Sequence, residues 1–121
     1  MSRTALVVDD SATIRQVVSF TLKDAGFAVV EAVDGQDGLE RADRQRLDLV
    51  ITDLNMPRMD GIALIRGLRA RPASKHVPIL MLTTESQDSK KQAARAAGAT
   101  AWIVKPFLPD KLLQVVARVL P

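Results

Sequence analysis

The feature that most constrains the fold is an alternation, repeated five times, of a short apolar segment and a longer segment with helical spacing of its apolar residues. The strand-length segments are Ala5–Val8, Ala28–Ala32, Leu49–Thr52, Pro78–Thr83 and Ala101–Val104. The first, third and fourth are almost wholly apolar, which is typical of strands that are covered on both faces. Five strand–helix units in series predict an α/β protein with a parallel sheet and helices on both faces.

Capping and helix-breaking residues mark the ends of the helices between these strands. Serine is a favoured N-cap, and glycine commonly ends a helix. The expected limits are Ser11 to Gly26 for the first helix, a start after Gly35 for the second, Ile62 to a point before Pro72 for the third, about Ser86 to Gly98 for the fourth, and a start at Pro109 for the fifth.

Length and composition exclude several classes of protein. The chain has 121 residues, the size of one domain, and we expect residues 1–121 to form it with no output domain. It has no cysteine and only one histidine, His76, which argues against disulfides, cysteine-based zinc sites and histidine-based catalytic triads. No apolar run is long enough for a membrane span or signal peptide, so a cytoplasmic location is the default. The net charge of +3 comes from dispersed residues and does not favour nucleic acid as a partner.

Polar residues stand where four of the five strands end. Asp9 and Asp10 follow the first strand, Asp53 follows the third, Thr83 ends the fourth and Lys105 follows the fifth. In the flavodoxin-like strand order 2-1-3-4-5, the first and third strands are neighbours, and functional sites form beyond the carboxyl ends of the strands. The three aspartates should therefore converge, with the threonine and the lysine on the same side.

The chemistry of this set favours a phosphoryl group. Three nearby carboxylates repel one another unless cations compensate, and oxygen ligands in a small site suit Mg²⁺. Lys105 adds a fixed positive charge, and the Thr83 hydroxyl can donate a hydrogen bond to a phosphoryl oxygen. A carboxylate placed there can act as a nucleophile and form an aspartyl phosphate, which is the role we expect for Asp53.

The segments "VVDDS", "ITDLNMPRMDG", "MLTTE" and "WIVKPF" resemble the defining motifs of the receiver domain of two-component response regulators. The resemblance covers essentially the whole chain, which is also similar to the stand-alone chemotaxis regulators of that family. It implies that Asp53 is the phosphorylated aspartate. It also implies that Asp10 and Asp53 are side-chain ligands of Mg²⁺, that Asn55 provides a backbone carbonyl to the metal, and that Asp9 holds metal-bound water.

The same resemblance implies roles for two more pairs of residues, and Thr83 belongs to both pairs. Thr83 and Lys105 correspond to the pair that contacts the phosphoryl group. Thr83 and Trp102 correspond to the switch residues, although the family usually has tyrosine or phenylalanine at the aromatic position. The Lys105–Pro106 peptide bond is expected to be cis, because a tight turn must aim the ammonium back over the strand ends.

The implied function is a signalling switch. A sensor histidine kinase donates the phosphoryl group, and the domain catalyses its own phosphoryl transfer and slow autodephosphorylation without being an enzyme in the usual sense. Phosphorylation then changes the affinity of the face formed by the fourth helix, fifth strand and fifth helix for a target protein, such as a flagellar motor switch, and a phosphatase is a further partner. The alternative within the family is a phosphorelay intermediate or a phosphate sink.

Three other functions compete with this interpretation. Phosphatases of the haloacid dehalogenase type need a second acid two residues after the nucleophile, where this chain has Asn55. A flavin- or nucleotide-binding module needs a phosphate-binding loop after the first strand, and "DDSAT" presents two carboxylates there instead. A receiver that acts only as an unphosphorylated docking module would not need the complete acidic set.

Overall fold

The computed structural model describes residues 3–84 and 88–120 and has the expected alternation of strands and helices. The elements are, in chain order, β1 (Thr4–Val8), α1 (Ala12–Asp24), β2 (Ala28–Ala32), α2 (Gly35–Ala42), β3 (Leu49–Asp53), α3 (Gly61–Arg69), a 3₁₀ turn (Pro72–Ser74), β4 (Ile79–Thr83), α4 (Asp88–Ala97), β5 (Ala101–Val104) and α5 (Pro109–Val119). All strand pairs are parallel, and the sheet order is β2-β1-β3-β4-β5. The predicted fold class and strand order are confirmed.

Three strand limits differ from the prediction by one residue. β1 begins at Thr4, which pairs with Ala28 in β2. β3 includes Asp53, which pairs with Leu82 in β4 and is thus the last residue of the strand itself. β4 begins after Pro78, at Ile79. The predicted start of the fourth helix near Ser86 lies outside the described residues.

The sheet separates two apolar layers. On one face, side chains of α2, α3 and α4 pack against alternate strand residues, including Leu39, Leu64, Leu68 and Ala94. On the other face, α1 and α5 contribute Val18, Leu22, Leu112, Val115 and Val116. The two layers bury β1, β3 and β4 almost completely, which explains why the sequence of these strands is apolar without alternation.

The helices have polar ends of opposite character. Ser11, Asp34 and Asp60 cap α1, α2 and α3, since each side chain accepts a backbone hydrogen bond from the first turn. All five α-helices have a basic residue in the last turn, which complements the negative end of the helix dipole. Within the described ranges, no helix has the length and apolar character that a membrane span requires.

Arg69 joins the end of α3 to two neighbouring segments. Its guanidinium donates hydrogen bonds to the carbonyl oxygens of Ser74, Lys75 and Val77, before β4, and to that of Gly98, after α4. Burial lowers the pKa of Arg69, but the carbonyl oxygens satisfy its donors. The arginine therefore fixes the C-terminal end of α4 relative to the sheet.

Two hydroxyl groups on α1 should have opposite effects on stability. Ser19 is buried, and in the described structure its hydroxyl has no hydrogen-bond partner, whereas Thr21 donates to the Val17 carbonyl at 2.8 Å. We expect Ser19→Ala to raise the free energy of unfolding by about 1 kcal/mol, because it removes an unsatisfied buried polar group. Thr21→Val should lower it by about 1 kcal/mol. Urea unfolding measures both, and a loss of stability in Ser19→Ala would contradict the assignment.

Candidate functional site

Strand pairing brings two aspartates together at the carboxyl edge of the sheet. Val8 pairs with Thr52, so the residues that follow them, Asp9 and Asp53, lie side by side at the ends of β1 and β3. Both are buried, and Asp9 is only 1% exposed. Asp10 continues from Asp9 to the exposed side of the same edge. The predicted convergence of the three aspartates is therefore present in the structure.

Lys105 lies between the two buried carboxylates. Its ammonium is 3.1 Å from Oδ2 of Asp9 and 3.1 Å from Oδ1 of Asp53. The backbone N–H of Lys105 donates to the Thr83 carbonyl at 2.7 Å, which fixes the start of the side chain next to β4. The Lys105–Pro106 peptide bond is cis, as expected from the sequence.

The remaining hydrogen bonds distinguish the oxygens of the two carboxylates. Oδ1 of Asp9 accepts the backbone N–H of Ser11 at 2.9 Å, so both oxygens of Asp9 have partners. Oδ1 of Asp53 accepts the Leu54 N–H at 2.9 Å in addition to the Lys105 ammonium. Over residues 3–84 and 88–120, Oδ2 of Asp53 accepts no hydrogen bond, and it is the oxygen available to a metal ion or to a new covalent bond.

The electrostatics of the site disfavour the ionised form of Asp53. Burial, and then the neighbouring charge of Asp9, raise the pKa of Asp53 above its ordinary value, although Lys105 and the Leu54 N–H act in the opposite direction. Burial also disfavours the charged form of Lys105, but its hydrogen bonds to Asp53 and Asp9 outweigh burial and raise the pKa of the lysine. The single positive charge of the Lys105 ammonium therefore offsets only part of the negative charge of the two carboxylates.

A divalent cation fits this acidic cluster. One carboxylate oxygen from each of Asp9, Asp10 and Asp53 lies within 4.8 Å of the other two. Hard oxygen ligands that are partly open to solvent suit Mg²⁺, which keeps several of its waters. Asn55 is exposed in the loop directly after β3, close in sequence to Asp53. The donor set and the surplus negative charge thus agree with the magnesium site expected from the sequence.

The two expected switch residues border the same small cavity. Thr83, the last residue of β4, is 3% exposed, and Trp102 lies half-buried on the edge strand β5, where it pairs with Met81. Both line a cavity of about 10 Å³ beneath α4, together with Leu54, Met81 and residues of that helix. A space of this volume holds about one water molecule and does not admit an indole ring.

Two cations of α4 contact the face of Trp102. The Lys91 ammonium lies 5.6 Å from the ring centroid and the Arg95 guanidinium lies 5.1 Å from it, distances at which cation–π attraction acts. Sequence analysis did not predict this contact. The available signal was the spacing of four residues between Lys91 and Arg95, which places both on one face of a helix.

Comparisons with known proteins agree with this geometry. The model of the response regulator receiver domain family matches residues 5–117. Chemotaxis protein CheY-3 of Vibrio cholerae is 41% identical over 118 residues, which cover 93% of this chain and 91% of that protein. The structure of the chemotaxis response regulator CheY4 of Vibrio cholerae has 48% identity and a TM-score of 0.95, over 99% of this chain and 100% of that one.

A more distant solved structure carries a metal. The receiver domain of a sensor histidine kinase from Pseudomonas aeruginosa has 28% identity and a TM-score of 0.90, with 98% of each chain covered. That protein is described with a magnesium ion coordinated in its active-site cleft.

The raised pKa of Asp53 leads to a prediction about stability. Because the folded state disfavours this carboxylate, Asp53→Asn should raise the free energy of unfolding of the metal-free protein at pH 7. The advantage of the variant should shrink as the pH falls through the raised pKa toward about 4, since the wild type then regains stability by binding a proton. Urea unfolding in a chelator between pH 8 and pH 4 measures the difference.

A substitution of the lysine provides the control. Lys105→Met leaves two buried carboxylates without their cation and should lower the free energy of unfolding by about 3 kcal/mol at pH 7. If Asp53→Asn were the less stable protein at pH 7, the interpretation of the site as incompletely compensated would be wrong.

Proposed function

The chain belongs to the response regulator receiver domain family, and we propose that it is a phosphorylation-controlled switch whose phosphoryl acceptor is Asp53. The family and the CheY-like relatives support a role in two-component signalling. The observation that carries the proposal for this chain is the position of Asp53 itself. Its Oδ1 is held by Lys105 and Leu54, its Oδ2 has no hydrogen-bond partner in the described residues, and the carboxylate belongs to the acidic cluster with Asp9 and Asp10.

The proposed reaction is an in-line transfer. Oδ2 of Asp53 attacks the phosphorus atom, an oxygen–phosphorus bond forms, and the bond between phosphorus and the donor breaks, with its electron pair leaving on the donor. The Lys105 ammonium already lies 3.1 Å from Asp53 and neutralises negative charge that develops on the phosphoryl oxygens. The Thr83 hydroxyl donates a hydrogen bond to one of those oxygens. Asp10, Asp53 and the Asn55 carbonyl would hold Mg²⁺, with Asp9 holding one of its waters, and the bound ion would supply further positive charge to the phosphoryl group.

The partners follow from the family. A sensor histidine kinase supplies the phosphoryl group, and attack of water on the acyl phosphate removes it slowly, with or without a phosphatase. The relatives include chemotaxis regulators, which favours a chemotaxis pathway and a target such as a flagellar motor switch. The target would bind the face formed by α4, β5 and α5, where Lys91 and Arg95 favour a segment with acidic residues around an apolar anchor.

The switch requires a rearrangement larger than a ring rotation. Movement of Thr83 toward the phosphoryl group enlarges the cavity between β4 and α4, into which Trp102 can then turn. Because the indole exceeds the present volume of that cavity, its entry must displace side chains of α4 and separate the ring from Lys91 and Arg95. Phosphorylation would therefore change both the shape and the available charge of this face.

Labelling with a small acyl-phosphate donor in the presence of Mg²⁺ tests the acceptor. We expect acid-stable, base-labile incorporation in the wild type and none in Asp53→Asn. Asp60→Asn is the matched control, since Asp60 caps α3 through the Ala63 N–H at 2.8 Å and asparagine caps equally well. Undiminished acyl phosphate in Asp53→Asn would refute the assignment.

Fluorescence tests the switch, because Trp102 is the only tryptophan of the chain. Phosphorylation should reduce the quenching of its emission by acrylamide, since the ring becomes more buried. Thr83→Ala should still accept the phosphoryl group, at a lower rate, but should lose the change in quenching. Trp102→Ala should weaken target binding and leave Asp53 labelling nearly intact. Equal losses of labelling and binding in Trp102→Ala would mean that the ring only packs against the core.

A further inference from the structure

The loop between Asp53 and α3 contains an unusual backbone conformation. Arg58 has a φ of 64°, in the left-handed region that side chains other than glycine seldom adopt. The Met59 N–H donates to the Pro57 carbonyl at 2.7 Å, so Arg58 is the central residue of a tight three-residue turn. A residue persists in such a conformation only where its surroundings hold it there.

The side chain of Arg58 provides the interaction that holds the turn. Its Nε lies 2.7 Å from Oδ2 of Asp34 and its Nη2 lies 3.0 Å from Oδ1, a bidentate ion pair between residues that are 24 apart in the chain. Asp34 is 5% exposed, and its Oδ1 also accepts the Asp37 N–H at 2.9 Å as the N-cap of α2. The hydrogen bonds from Arg58, followed by that from Asp37, hold the pKa of Asp34 below its ordinary value.

Backbone contacts accompany the ion pair. The Gly35 N–H donates to the Met59 carbonyl at 3.2 Å, and a Cβ atom at position 35 would lie 2.6 Å from that same oxygen. The turn therefore rests directly on the N-terminus of α2, and Gly35 permits the close approach. We call the contacts of Arg58 and Met59 with Asp34 and Gly35 the α2 clamp.

The α2 clamp acts on residues 55–60, the segment that contains Asn55. The two ends of this segment are joined by the backbone, since the Gly61 N–H donates to the Leu54 carbonyl at 2.8 Å and the Leu54 N–H donates to Leu82 at 3.2 Å. Between them the chain follows an irregular path across the edge of the acidic site. Among the described residues, two side chains of this stretch make hydrogen bonds to the rest of the protein: Asp60 caps α3, and Arg58 alone reaches α2.

We propose that Arg58 is a positioning residue for the metal site, which sets the place of the Asn55 carbonyl by clamping the loop to α2. This inference rests on the proposed function, because Asn55 is a ligand only in that proposal. Among the described residues, the Arg58 side chain pairs with Asp34 and forms no ion pair with Asp9, Asp10 or Asp53, so its influence passes through the backbone of the loop.

The chain provides a matched control for the removal of the clamp. Arg71 and Asp43 form a second bidentate pair, with Nε 2.7 Å from Oδ1 and Nη2 3.2 Å from Oδ2, and it lies beside the C-terminus of α2, away from the acidic site. Both arginines have a pKa that is raised by the hydrogen bonds they donate to their aspartates. Arg71→Ala therefore removes a second bidentate ion pair, together with a hydrogen bond to the Gly67 carbonyl, without touching the loop.

The test uses the full chain and Mg²⁺ alone, with calorimetry as the readout. We expect Arg58→Gly to weaken Mg²⁺ binding by about three- to tenfold, since loss of an outer support displaces a ligand without removing one. Arg58→Lys should fall between the wild type and Arg58→Gly, because it keeps the charge but loses the bidentate geometry. Arg71→Ala should bind Mg²⁺ as the wild type does.

Hydrogen exchange separates positioning from general stability. Arg58→Gly suits the left-handed backbone, so its urea unfolding midpoint should fall no further than that of Arg71→Ala, while amides of residues 55–60 should exchange faster than in the wild type. Unchanged Mg²⁺ affinity or unchanged exchange in Arg58→Gly, with a wild type that binds Mg²⁺, would overturn this inference and leave the proposed function standing. A wild type that binds no Mg²⁺ would overturn both.

Discussion

The carboxyl edge of the sheet depends on one ammonium group that holds two buried carboxylates together. Parallel pairing of β1 with β3 forces Asp9 and Asp53 to be neighbours, and hydrophobic packing on both faces of the sheet prevents them from separating. Lys105 offsets the repulsion between the two carboxylates, because its ammonium lies 3.1 Å from an oxygen of each. It does not neutralise them fully, so the folded protein retains a local excess of negative charge that a divalent cation and a phosphoryl group can use.

The residues at the strand ends were predictable because topology alone brings them together. Once the apolar segments are recognised as parallel strands, the strand order fixes where the backbone of each strand-end residue lies. This position does not depend on the conformation of the side chain. This is why Asp9, Asp53 and Lys105 meet as expected, and why the error in strand limits stays at one residue. The capping role of Ser11 follows from an equally local rule, as does the positive φ of Gly26 and Gly98 just after α1 and α4.

Contacts made by long side chains were not predictable in the same way. Arg58 reaches Asp34 across 24 residues, and Arg69 reaches Gly98 across 29. Whether an arginine reaches a given partner depends on the exact path of two loops, and hydrophobic periodicity contains no information about loops. The stack of Lys91 and Arg95 on Trp102 depends likewise on how α4 lies over β5. These contacts set the loop and helix positions that distinguish this chain within its fold.

The basic residues at the helix ends make the distribution of charge uneven along the direction of the strands. Helices in βα units run opposite to the strands, so Lys23, Arg41, Arg66, Arg95 and Arg118 lie toward one end of the sheet, and Asp9, Asp10 and Asp53 lie at the other. These two groups contribute a dipole component along the strands, which Asp24 beside Lys23 and Lys105 beside Asp9 and Asp53 reduce. A charged surface exerts a torque on such a body, so an approaching partner meets molecules that are already partly aligned, to a degree that salt reduces.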